Sequence, residues 1–119
     1  IPNFMIQGGG HLPDMSQIDT FDPIINESEN NLSNKKGTIA MARTSSPNSA
    51  TSQFFINLRD NEFLDKANSA DGYGYCVFGQ VTDGIEIVEQ IGVVPTGNNA
   101  GHSDVPIENI LINDASIIE

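Results

Sequence analysis

The stretch that decides the fold is Gly37 to Asn57, GTIAMARTSSPNSATSQFFIN. It holds two short apolar runs, Thr38–Ala42 and Gln53–Ile56, each compatible with a buried strand. Between them lies a link rich in Ser, Thr, Pro and Asn, with the turn signal Ser46-Pro47-Asn48. Polar Gln53 precedes the aromatic pair Phe54 and Phe55, so the second run carries both a hydrogen-bonding amide and a hydrophobic wall.

Upstream, Phe4–Gln7 reads as a strand with Phe4 and Ile6 on one face and Met5 and Gln7 on the other. Gly8-Gly9-Gly10 then releases the backbone. A phosphate-cradling loop fails here, because His11-Leu12-Pro13 follows and not a helix start that would supply amide donors. Leu12–Lys36 is polar and weakly periodic, a long ordered loop with one short strand expected near Ile24-Ile25. Pro13 and Pro23 rule out a continuous helix across it.

Downstream, Asp60–Asp65 reads as a single helical turn with Asp60 as N-cap, delivering Phe63 and Leu64 as an apolar pair. Gly74–Val81 returns to strand character. Thr82-Asp83-Gly84 opens the best helix candidate, with Ile85, Val88 and Ile91 at helical spacing, Ile87 widening the stripe and Gly92 as the stop. Thr96–Gly101 is expected to be a mobile loop. Ile107–Ile118 is expected to close the chain as a strand, with Ile110, Ile112 and Ala115 inward. Many short strands, few helices and abundant Gly and Asn turns predict one mainly β domain over residues 1–119, a barrel or sandwich.

Sixteen acidic against five basic side chains give a formal charge of −11. Such a surface repels phosphate backbones and anionic membranes, which excludes general nucleic-acid binding and membrane association. No apolar run reaches the length of a membrane span. Cys76 is the only cysteine, so no intrachain disulfide is possible, and a reducing, cytoplasmic compartment fits best. No secretory signal is visible, and the first residue is Ile, so the chain is expected to begin inside a longer protein.

Covalent and metal chemistry find no support. Ser45, Ser46, Ser49 and Ser52 sit in no nucleophile elbow. His11 and His102 are the only candidate bases, and nothing in sequence fixes either near a serine. Two isolated histidines and one cysteine lack zinc-ligand spacing, so no metal and no cofactor is expected.

Three motifs together, FMIQGGG at Phe4–Gly10, the Gly37–Asn57 stretch and GYCVFGQV at Gly74–Val81, resemble the cyclophilins, and most nearly the single-domain bacterial members. The resemblance implies a closed eight-stranded antiparallel barrel with capping helices. Its first two strands and first helix, about a quarter of the domain, would lie upstream of Ile1. It implies peptidyl-prolyl cis/trans isomerase activity that assists protein folding. An X-Pro bond must be twisted against a barrier of roughly 18–20 kcal/mol, and uncatalysed exchange takes tens to hundreds of seconds. No bond breaks, so an apolar pocket for the ring and polar groups for the flanking amide suffice.

By the same resemblance Phe4, Met5, Phe55 and Leu64 line the proline pocket, and Phe63 sits beside them where many relatives carry Trp. Gln7 and Gln53 orient the substrate and a catalytic arginine. The backbone at Ala42 and Arg43 pairs with the peptide, and Tyr75 stands where eukaryotic members have His. The catalytic arginine, in a Phe-His-Arg motif, would fall just upstream of Ile1, and Arg43 is not its replacement. Expected partners are proline-containing peptides and unfolded proteins. Cyclosporin binding is expected to be weakened by Phe63, and the complete protein is expected to be a monomer. A second reading is a proline-peptide-binding or chaperone-like module with little catalysis, and a third a purely structural β domain.

Overall fold

Alternating side chains in four short runs set the architecture. In the computed structural model, which describes residues 1–119, they form one antiparallel sheet. Its strands are β1 (Met5–Gly8), β2 (Thr38–Met41), β3 (Phe54–Asn57) and β4 (Val77–Gln80), in the order β1-β3-β2-β4. The polar link between the two runs of Gly37–Asn57 thus folds the chain back beside itself.

Register places Gln7, Phe55, Ala40 and Val77 in one row across all four strands. Met5 lies opposite Asn57, two positions along and therefore on the same face. The other face carries Ile6, Ile56 and Ile39 in register, with Phe54 opposite Gly8 and Met41. The core sits on the first face: Ala40, Phe55 and Val77 are buried, and Met5, Ala42, Leu64 and Tyr75 pack against them.

A single α-helix, α1 (Ile85–Ile91), follows Gly84 and ends at Gly92. Val88 is its buried residue, whereas Ile87 is 58% exposed and does not widen the inward stripe. The helical turn is a 3₁₀ turn at Glu62–Leu64, with Asn61 at the N-cap position but no side-chain cap bond. Asp60 does not cap it; its carboxylate accepts instead from the Lys36 amide at 2.9 Å.

Three expectations are corrected. Thr96–Gly101 is half of a hairpin, β5 (Thr96–Asn99) with β6 (His102–Pro106), turning through positive φ at Ala100 and Gly101. Ile24 makes only an isolated bridge with Ala50. The segment Ile107–Ile118 is not a strand. Beyond the Ile107 amide, which donates to Pro95 O, no backbone–backbone hydrogen bond holds it. Its alternation supplies an apolar face, but a strand also needs a neighbour for its amides and carbonyls, and these pair with no other strand. The sheet has β1 and β4 at its edges.

Candidate active site

The polar end of the site begins at a glycine packed against a glutamine side chain. Gly10 is buried, and a Cβ there would lie 2.5 Å from Gln53 Cδ. The space is filled by the Gln53 side chain, whose Oε1 accepts a hydrogen bond from Gln7 Nε2 at 2.9 Å. Ser52 Oγ donates to Gly9 O at 2.8 Å and pins the same corner. Gln7 is solvent-exposed and Gln53 half-buried, so the pair lies at the surface beside the Phe55 row.

The apolar end is built from two aromatic contacts. The Phe55 and Tyr75 rings meet edge to face at 5.8 Å, and Phe4 stacks on Phe63 at 5.8 Å. Met5, Leu64 and Ala42 complete the wall around Phe55. Leu64 is half-buried, and its carbonyl accepts from the Tyr75 amide at 2.9 Å. Phe63 keeps half its surface in solvent. The structure therefore brings Met5, Ala42, Phe55, Leu64 and Tyr75 into one cluster, sets Phe4 and Phe63 as an aromatic pair, and joins Gln7 to Gln53.

Arg43 is placed differently from a rim residue. Its side chain is 3% exposed and bonded throughout. It pairs with Asp71 at 2.7 Å, donates to Gly74 O from both Nε and Nη2, and stacks over the Tyr75 ring at 4.4 Å. The guanidinium is thus a brace for Tyr75, and only the Arg43 backbone is open to a peptide. The Ala42 amide is occupied, donating to Gln53 O at 3.0 Å. Gly74 suits this junction because its φ is +68° and a Cβ would lie 2.5 Å from the Lys66 amide nitrogen. The Tyr73 amide first, then Arg43, hold the Asp71 carboxyl well below the usual carboxylate range.

Sequence reasoning missed a buried polar cluster under the apolar wall. Asn34, Asn57 and Asn61 are the largest fully buried side chains in the chain. They are joined by hydrogen bonds from Asn57 Nδ2 to Asn34 Oδ1 (3.1 Å) and from Asn61 Nδ2 to Asn57 Oδ1 (2.9 Å). Burial works to raise the nearby Asp65 carboxyl, but hydrogen bonds from Ser33 and Asn34 outweigh it and hold it below its ordinary value. The one local signal was an asparagine closing an apolar strand, in Phe54-Phe55-Ile56-Asn57.

Two concave pockets lie beside the site. A mostly apolar cavity of about 210 Å³ is lined by Ile24, Met41, Ala50, Cys76 and Phe78 and shares only Arg43 with the candidate site. A polar one of about 140 Å³ shares only Gln53. Burial pushes the Cys76 thiol up, away from thiolate reactivity at neutral pH.

The class is therefore a small antiparallel β protein whose candidate site is an open surface, apolar at one end and amide-lined at the other. Residues 1–117 match the family described as cyclophilin type peptidyl-prolyl cis-trans isomerase/CLD, and the chain belongs to that family. It is 51% identical over 119 residues to peptidyl-prolyl cis-trans isomerase cyp18 of Streptomyces antibioticus, covering 99% of this chain and 72% of that protein. It is also 51% identical to peptidyl-prolyl cis-trans isomerase B of Escherichia coli (strain K12), covering 100% of this chain and 73% of that protein. Peptidyl-prolyl cis-trans isomerase A of Dickeya dadantii (strain 3937) is 50% identical, and the chain spans 62% of its length.

Proposed function

We propose that the chain supplies the proline groove of a peptidyl-prolyl cis/trans isomerase, with Phe4, Met5, Phe55 and Leu64 seating the ring and Phe63 and Tyr75 at its rim. The observation that carries this reading is the Gln7–Gln53 hydrogen bond, set in register beside the buried Phe55. Family membership supports the same conclusion. Burying the ring anchors the substrate, while the amide pair and the free Arg43 N–H hold the flanking peptide groups as the X-Pro bond twists. The transition state loses amide resonance, so donors aimed at the twisted form lower its energy without a nucleophile or metal.

Both arginines of the chain are engaged, Arg43 as above and Arg59 through Nε to Asn61 Oδ1 at 3.1 Å. This favours a second reading for the chain by itself, a proline-peptide-binding module with little catalysis. In the first reading the catalytic arginine, the remaining strands of a closed barrel and the first helix are supplied by upstream sequence. The protein then works on unfolded clients in the cytoplasm. Exchange spectroscopy on an Ala-Pro peptide tests the proposal. Accelerated cis/trans exchange supports the isomerase, binding without acceleration supports the module, and neither overturns both.

A further inference from the structure

The buried asparagine cluster bonds within itself, to the Asp65, Thr38 and Arg59 side chains, and to the backbone of three groove residues. Asn61 Nδ2 donates to Phe4 O at 2.8 Å, and its main-chain carbonyl accepts from the Leu64 amide at 2.9 Å. The Asn61 amide donates to Asn34 O at 2.7 Å. Asn34 Nδ2 in turn donates to Tyr75 O at 3.3 Å and to Asp65 Oδ1 at 3.0 Å. Asn57, facing Met5 across the sheet, bonds both other asparagines and Thr38 Oγ1. The strand β1, the 3₁₀ turn and the segment before β4 do not share one regular element. The Tyr75 amide to Leu64 O bond joins two of them directly, and the cluster ties both to Phe4.

We infer that Asn61, with Asn34 and Asn57, is a positioning residue of the groove, fixing the spacing of the Phe4, Leu64 and Tyr75 walls that grip the proline ring. The inference rests on the groove reading above. Three amides could instead have been an apolar plug of the same volume, which would bury more favourably but would direct no backbone group. A fully satisfied polar cluster rigidifies its surroundings, and here its bonds reach all three wall segments. The Gln7–Gln53 pair lies outside the cluster, so wall placement and amide chemistry separate experimentally.

Affinity for an Ala-Pro peptide and exchange rate at saturation, measured by NMR for the full chain, Asn61→Ala and Asn34→Ala, test this. A displaced wall weakens the peptide affinity about ten-fold while the saturated rate stays within about two-fold. A merely stabilising role gives the opposite pattern, a lower saturated rate in proportion to the unfolded fraction with unchanged affinity, and would overturn the inference. Val88→Ala on α1 supplies that pattern as a control. Where a variant does not fold, the unmodified chain decides: the Asn61 and Asn34 side-chain amide resonances shift on saturation with peptide, and their failure to shift overturns the inference. If the unmodified chain neither binds nor turns over the peptide, the groove reading itself falls and takes the inference with it. If the unmodified chain binds the peptide but the variants do not show the affinity loss, only the inference falls and the groove reading stands.

Discussion

Gln7 and Gln53, 46 residues apart in the chain, are joined by a 2.9 Å hydrogen bond that uses one donor of Gln7 and the acceptor of Gln53. The Gln7 carbonyl and the Gln53 amino group make no other bond within the chain and remain available at the surface. The pair therefore presents a fixed acceptor beside a fixed donor, with Gln7 directly opposite a buried phenylalanine. An isolated glutamine at either position would be a mobile side chain with no preferred direction.

Gln53→Leu keeps the volume and removes both functions. Turnover of an Ala-Pro peptide should fall on the order of 10²-fold, as for loss of one preorganised transition-state donor, with peptide affinity changed much less. Gly10→Ala should act in the same direction without touching either glutamine, because its Cβ would occupy the space of Gln53 Cδ. Exchange spectroscopy of the two variants checks this. Full activity in Gly10→Ala would show that the Gln53 orientation is immaterial.

The strands of the sheet were legible because each is a short apolar run flanked by Gly, Pro or Asn, and burial on one face fixes the register. Helix α1 was legible from the spacing of Ile85, Val88 and Ile91. Hairpin β5–β6 was not, since Thr96-Gly97-Asn98-Asn99 has no apolar alternation and is held by pairing and two positive-φ turn residues. The Ile107–Ile118 segment failed the other way, with alternation but no backbone pairing to a neighbouring strand. Arg43 looked like a rim residue because its partners, Asp71, Gly74 and Tyr75, come from about thirty positions downstream. Asn34, Asn57 and Asn61 resemble surface residues by type, and only three-dimensional convergence reveals them as a buried cluster.

Acid stability follows from the Arg43 brace. The Asp71 carboxyl is held below its ordinary value of 3.8 by the Tyr73 amide and by Arg43. Its folded form thus binds fewer protons than the unfolded chain in that window. The stabilisation is fully present above the unfolded value and is lost as pH falls toward the folded one. Thermal melts should be insensitive to this group above about pH 5 and should shift downward below about pH 4. Asp71→Asn should flatten the acid slope and loosen the Arg43–Tyr75 stack, read by tyrosine emission in a chain without tryptophan. A slope unchanged by Asp71→Asn would assign acid sensitivity elsewhere.

Hydrogen exchange should divide the chain sharply. Ala40 and Phe55 sit in paired strands within the core and should be strongly protected. Residues 108–119 make no backbone–backbone hydrogen bonds, and Ile117 and Ile118 are at least 90% exposed. Their amides should exchange at close to the rate of an unstructured peptide. Protection at Ile110 and Ile112 comparable to that of β3 would mean that this segment finds a partner strand in solution.

Phe63 bears on inhibitor selectivity. It stacks on Phe4 and keeps 50% of its surface exposed, so it offers apolar area at the rim but no N–H. The cyclophilin resemblance places an indole here, whose N–H donates to cyclosporin. Phe63→Trp should therefore tighten cyclosporin binding about ten-fold, the worth of one favourable hydrogen bond of roughly 1.4 kcal/mol. The larger ring is accommodated because the site is open to solvent, so stability should change by less than about 0.5 kcal/mol. Peptide turnover should change less than inhibitor affinity, because the ring-seating contacts of Met5, Phe55 and Leu64 are untouched. Calorimetric titration of both proteins with cyclosporin checks this, and equal affinities would remove Phe63 as the determinant.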